Sequence, residues 1–308
     1  MTSPSTPVTL ADFQAVFDQV SRWGRYDVPD RGAWQTAGAE QALRGAAAVR
    51  SGVVVGMALP WNTLAGVDNP NPALHHMTDL GDVEPAEPTC HKDFLGIDYH
   101  GKSCSHLDAL AHIAWQGQLF DGRVARDVVD AGGARFGSVA ALGPLVTRGV
   151  LLDLPAVRGV DWLEPGEPLY AADLDAAEQH AGVAIGPGDA VLLRSGQFAR
   201  RRARGAWDSG EASAGLHVSA VPWLFERDIA VLGADGDSDV RPSHVPGVHS
   251  PIHVLALTAM GVPLLDNLDL EALSAACREA GRYEFQLVLA PLNIPRGTGS
   301  PLNPVAIL

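Results

Sequence analysis

The sequence predicts an α/β fold, and three observations carry that reading. Short apolar runs alternate with amphipathic helical stretches through the second half of the chain. No linker, composition break or internal repeat divides it. Its 308 residues suffice to bury one large core.

The elements follow in order. TLADFQAVFDQV places apolar residues at helical spacing, with Thr9 positioned as its cap. After the turn-rich SRWGRYDVPDRGAW, AEQALRGAAAVRSG reads as a second short helix ending at Gly52, and VVVGMALP as a strand. From Trp61 to Pro88 periodicity disappears, and this long loop, with NPNPALHHMTD in its middle, is expected to act as a lid. GVLLDLP (149–155) and DAVLLRSG (189–196) are buried strands bounded by Gly and Pro, with the helix LYAADLDAAEQHAG between them. GPGD (186–189) is a turn pre-set by Pro187. Then come the helix SAVPWLFERD, the strand IAVLGAD, the helix PIHVLALTAMG, the strand VPLLDNL and the helix LEALSAACREAG. FQLVLAPLNI is the last predicted strand, before the Gly/Pro-rich RGTGSPLNP.

A formal net charge of −14 excludes the usual nucleic-acid binder and disfavours an anionic membrane surface, since both would repel the chain. The one basic cluster, Arg200, Arg201, Arg202 and Arg204 beside Gly205, reads as a solvated loop. MTSPSTPVTLADF lacks the basic start and apolar core of a signal peptide, and no apolar run is long enough to span a bilayer. Cys90, Cys104 and Cys277 have no C-x-x-C spacing, so a reducing, cytoplasmic setting without disulfides is expected.

HGKSCSHLDALAH (100–112) holds the densest chemistry. If the segment is extended, His100, Lys102, Cys104, His106 and Asp108 share one face. His106 and Asp108 then form a ligand pair suited to zinc or manganese, and one turn brings His112 back over the same point. A short His-x-Asp also arises by chance, and a single buried histidine is more often a core residue. Other chemistries are poorly represented. No G-x-S-x-G elbow supports a serine hydrolase, and RGTGSPLNP lacks the spacing of a phosphate loop. Cys104 as a thiol nucleophile explains fewer of these residues than a metal does.

SHLDALAH resembles the H-x-G-T-H-x-D-x-P-x-H signature of the cyclase family, metal-dependent hydrolases that include bacterial kynurenine formamidase and isatin hydrolase. Ser105 stands for the threonine, and His106, Asp108 and His112 match. Lys102 stands where the first histidine would be, Cys104 replaces the glycine and Leu110 the proline. SRWGRYDVPDRG, NPNPALHHMTD, GVLLDLPA, GPGDAVLLRSGQ, WLFERDIAVLGADGDSDVRPS and PIHVLALTAMGVPLLDNLDLEAL resemble family segments in the family's order. The resemblance implies a swivelling β/β/α domain over residues 1–308, with 1–60 as a helical extension, assembling as a homodimer or homotetramer. It implies His106, Asp108, His253 and Asp266 as metal ligands, with His100 or Lys102 in the first histidine's place. It also implies one or two divalent ions, Zn or Mn. His112, which titrates in the right range, is the expected proton carrier.

Read from the residues alone, His253 in an apolar helix is a core histidine, and Asp266 at a strand end is either a ligand or a turn acid. His217, Trp61, His76 and Lys102 are candidates to face a small-molecule substrate; His75, Trp23 and Arg25 are weaker ones. The expected activity is hydrolysis of an amide, lactam or lactone by metal-activated water. Two rivals stand beside it: a metal-dependent cyclase or lyase on a polyketide-like molecule, and a non-catalytic binding protein in which Lys102 has displaced a ligand.

Overall fold

The computed structural model describes residues 8–81 and 88–308. Residues 1–7, which carry most of the signal-peptide reading, and 82–87 of the 61–88 loop lie outside them. Nine strands of the described residues make one sheet. They are β1 (Val54–Gly56), β2 (His106–Asp108), β3 (Leu145–Asp153), β4 (Ala190–Arg194), β5 (Val231–Ala234), β6 (Leu264–Asp266), β7 (Glu284–Leu289), β8 (Gly299–Pro301) and β9 (Val305–Ile307). Their spatial order is β1-β9-β7-β3-β4-β5-β6-β2-β8. The block β3 to β6 is parallel, and every pairing outside it is antiparallel. β4 and β5 are buried at every position, which is why their sequences are apolar apart from Arg194 at the end of β4, whose charge is paired with Asp153 and Glu271.

Helix α1 (Leu10–Val20) begins where expected. The Asp12 amide donates to the Thr9 hydroxyl (3.1 Å) and the Thr9 amide donates back to the Asp12 carboxylate (3.1 Å), a reciprocal cap. Phe13, Phe17 and Val20 bury one stripe of it. Helix α2 (Ala39–Ala48) packs on β3 so closely that a Cβ on Gly45 would lie 2.5 Å from the Thr147 carbonyl oxygen. It stops short of the predicted Gly52. Val49 is extended, and the amides of Ser51 and Gly52 donate to the Leu308 carbonyl (3.0 and 2.7 Å), drawing the chain toward β1. The first sixty residues thus contribute a strand as well as helices.

Three other predictions change. Within the 61–88 loop, Leu74–Asp79 is a strand that pairs antiparallel with Lys92–Gly96 in an exposed hairpin. RGTGSPLNP carries β8 and leads into β9; both pairings are long-range, so their short sequences gave no local signal. The arginine cluster is helical, as α3 (Gln197–Arg204). Arginine is a good helix former. The buried Asp235 carboxylate accepts the amides of Ser195 (2.9 Å), Gly196 (2.8 Å) and Gln197 (3.1 Å) at the helix start, a cap supplied from about forty residues away.

Candidate metal centre

β2 lies between β6 and β8 near one edge of the sheet. Alternation puts His106 and Asp108 on one face, while Leu107 points into the core on the other. Register sets Asp266 of β6 directly opposite His106, so a residue 160 positions away becomes a cross-strand neighbour. On the other side Gly299 faces Asp108. A Cβ at Gly299 would come within 2.8 Å of the His100 ring, so glycine is what lets that ring lie over the strand.

His100 is in a turn rather than an extended run, yet its ring still reaches the same point. Its Nδ1 is 2.7 Å from Asp108 Oδ1 and its Nε2 2.9 Å from the Thr298 hydroxyl. His112 sits in the turn after β2, its amide donating to the Ala109 carbonyl (3.0 Å). Its ring stacks on His100 with centroids 3.7 Å apart, and its Nε2 is 3.8 Å from Asp108 Oδ2. His106 Nδ1 donates to the Cys104 carbonyl (3.3 Å), which turns its Nε2 toward Asp108 (3.6 Å).

His253 comes from α4 (Pro251–His253), a short helix that continues as a π-helix over Val254–Met260. Its Nδ1 donates to Asp239 (2.5 Å), leaving Nε2 facing Asp266 (3.2 Å) and Asp108 (3.5 Å). Burial lowers the His253 pKa, but Asp266, Asp108 and Asp239 outweigh it and hold it well above the ordinary value. Burial raises Asp108, yet the hydrogen bond from His100 and the nearby imidazoles of His253, His112 and His106 hold its carboxyl well below the usual range. Asp266 moves the other way, raised chiefly by burial. Burial lowers His112 to about 4, with the adjacent imidazoles adding to it against the pull of Asp108, so its ring is neutral but titrates below the near-neutral range expected of a free histidine.

Two groups of donors have the spacing of a cation site: His100, Asp108 and His112, and His106, Asp108 and Asp266. Asp108 belongs to both. Asp108 Oδ2 and Asp266 Oδ1 are buried without a hydrogen-bond partner among the described residues. Unpartnered buried carboxylate oxygens are costly and rare, and a divalent cation held by imidazole nitrogen and carboxylate oxygen would satisfy both. The residues present therefore fit such an ion.

The centre opens on a cavity of about 340 Å³. Lys102 lines it but joins neither donor group; its ammonium donates to Asp237, whose other oxygen accepts from Arg241 (2.8 Å). Of the two residues offered for the first histidine's place, His100 is the one beside Asp108. Trp61 lines an adjoining cavity. His217 and His76 are not brought to either. His217 caps the turn at Ser219 (2.8 Å) and packs against Tyr170, because the strand before it pairs elsewhere. His76 stacks on Phe94 in the exposed hairpin. Trp23 bonds the Thr258 carbonyl (2.7 Å) and Arg25 pairs with Asp228 (2.5 Å), both structural contacts. Sequence reasoning passed over Asp239, Asp237, Arg241 and Thr298. DSDVRPS was read only as the end of a family-like segment, and nothing in it showed that Asp239 would meet His253.

Such an α/β fold carries a carboxylate–imidazole centre one strand from the sheet edge, beside a cavity, with donor groups that fit a divalent cation. The chain belongs to the cyclase family, whose pattern, described as "Putative cyclase", matches residues 32–238. It has the swivelling β/β/α fold expected. A crystal structure titled as a novel cyclase is 26% identical, superposes with a TM-score of 0.84 and is covered over 95% of this chain and 99% of that one. Isatin hydrolase A from Ralstonia solanacearum is 25% identical, with a TM-score of 0.59 over 87% of this chain and 94% of that one. An isatin hydrolase bound to the product analogue thioisatinate shares the fold at 20% identity, with a TM-score of 0.58 over 88% and 99%. No curated protein matches the sequence significantly. Among the described residues no helix is long and apolar enough to cross a membrane.

Proposed function

We propose that the protein is a metal-dependent hydrolase that opens a carbon–nitrogen bond of a small amide or lactam, or a lactone. The observation that carries this reading is Asp108, shared by two donor groups and left, with Asp266, holding a buried oxygen that no described residue satisfies. The likeness to isatin hydrolase A supports lactam chemistry.

His106, Asp108, Asp266 and His253 would hold the cation, Zn or Mn, with His100 beside them. When bound, the ion supplies a water of lowered pKa and polarises the scissile carbonyl. Asp239 holds the His253 ring through Nδ1, so that Nε2 faces the carboxylates. Thr298 and Asp108 clamp the His100 ring from both nitrogens. His112, stacked on that ring and neutral, takes the proton from the attacking water and returns it to the leaving nitrogen or oxygen. Lys102, fixed by Asp237 at the cavity wall, faces the substrate. Self-association, as the family resemblance implies, belongs to the same proposal.

The test is metal content of the purified protein together with mass analysis of isatin, a formanilide and an aryl lactone after incubation with added Mn or Zn. One or two ions per chain are expected, with a ring-opened acid heavier by one water from isatin or the lactone, and an aniline and formate that together exceed the formanilide by one water. Conversion without gain of water would favour the cyclase or lyase rival, and stoichiometric binding without turnover the binding protein.

A further inference from the structure

A second cavity, about 410 Å³, adjoins the one at the metal centre. Lys102 and Asn267 line both, so the two spaces share a wall. Asn267 holds that wall in place: it adopts a left-handed backbone (φ 56°) directly after Asp266, and its side-chain amide donates to the Gly101 carbonyl (3.1 Å). Trp61, Phe198 and Trp207 line the second cavity, and Trp61 is 37% exposed. Two arginines also reach it, but their charges are already matched. Arg201 pairs with Asp68, and Arg202 with Asp269 (2.5 Å). Each cavity has the size of an ordinary small-molecule pocket, roughly 300–1,000 Å³. Three aromatic rings around neutralised arginines favour a ligand group that is planar and uncharged.

We propose that this cavity is a distal substrate pocket, taking an uncharged aromatic arm of the molecule whose amide, lactam or lactone lies at the Asp108 centre. The inference rests on the hydrolase reading only for what lies at the other end of that molecule. The substrate class is then two-lobed: a hydrolysable carbonyl, a short connection passing Lys102 and Asn267, and an aryl group between Trp61 and Phe198.

The experiment uses the full chain and 2-naphthamide, an uncharged aryl probe, with binding measured by titration calorimetry and metal content measured on the same samples. Saturable binding is expected, weakened about tenfold or more by Trp61→Ala and by Phe198→Ala, since each removes a stacking face. Both positions are partly exposed, and an unchanged unfolding midpoint shows that each variant is folded. Absence of naphthamide binding, or binding indifferent to both substitutions in folded protein, overturns the proposal. Binding of 2-naphthoate at least about tenfold tighter than the amide, a difference of roughly 1.4 kcal/mol, overturns the neutral arm in favour of an anionic one. Naphthamide binding that responds to both substitutions in protein that neither holds metal nor hydrolyses isatin leaves the pocket standing and removes the hydrolase reading instead.

Discussion

Two clusters of charge face the same cavity, and they differ in how fully they satisfy themselves. On one side Asp237 has both oxygens engaged, by Lys102 and by Arg241, while Arg241 also donates to the His249 carbonyl and the Ser250 hydroxyl (3.0 Å each). On the other side Asp108 Oδ2 and Asp266 Oδ1 are buried without a partner among the described residues, the imidazoles of His253 and His112 standing off Asp108 Oδ2 at 3.5 and 3.8 Å. Both clusters are buried carboxylates beside nitrogen donors, so composition does not separate them. Completeness does. The first is closed, holds its own shape and contributes to stability. The second is left open at the cost of stability, as expected of a site that gains its missing partner from outside the chain.

The largest effect should come from Asp108→Asn. It removes a negative charge from both donor groups at once, so bound metal should fall to background in elemental analysis. Turnover on any substrate found should fall on the order of a thousandfold. A variant that keeps its metal and its rate would place the ion elsewhere.

His112→Ala should act next most strongly. The rate is expected to drop about a hundredfold, the usual scale for a lost general base, while most of the metal stays bound. Loss of metal equal to that in Asp108→Asn would move His112 from proton carrier to ligand, in the group it forms with His100.

The closed cluster should answer in stability instead. Lys102→Met leaves Asp237 with Arg241 alone and should cost about 1–3 kcal/mol in urea unfolding, with metal content unchanged. Equal loss of metal would mean that the two clusters are not separate.

A smaller effect is expected from pH. Burial raises the Asp237 carboxyl, but the charges of Lys102 and Arg241 outweigh it and hold the group below its ordinary value. A depressed folded-state pKa stabilises the fold above the unfolded carboxylate pKa, near pH ~4, and that contribution is lost as pH falls further. Urea midpoints measured between about pH 2 and 6 should therefore decline on the acid side, and Lys102→Met should flatten the decline. An unchanged slope in the variant would remove Lys102 as the cause.

Much of the fold was legible. Thr9, the stripe Phe13–Phe17–Val20 and the apolar stretches VLL, AVLL and VLGA within β3, β4 and β5 are local signals, written within a few residues and read by periodicity and caps. The misreadings fall where structure depends on a distant partner. β8 and β9 have three residues each and exist through pairing with β2 and β7. The arginine helix starts on an aspartate about forty residues away. The Leu74–Asp79 strand is solvent-exposed along most of its length, so it carries no alternation between buried and exposed faces.

The centre divides in the same way. That His106 and Asp108 share a face follows from the strand period of two, and the residues alone determined it. That Asp266 stands opposite His106, that His100 reaches Asp108 out of a turn and that Asp239 orients His253 were decided by tertiary structure. Lys102 shows the limit most plainly. Its parity put it with the ligands, yet an extended backbone was never formed there, and its ammonium went to the carboxylate of Asp237, 135 residues away. Periodicity assigns a side chain to a face, but a charge settles on whichever partner the folded chain brings within reach.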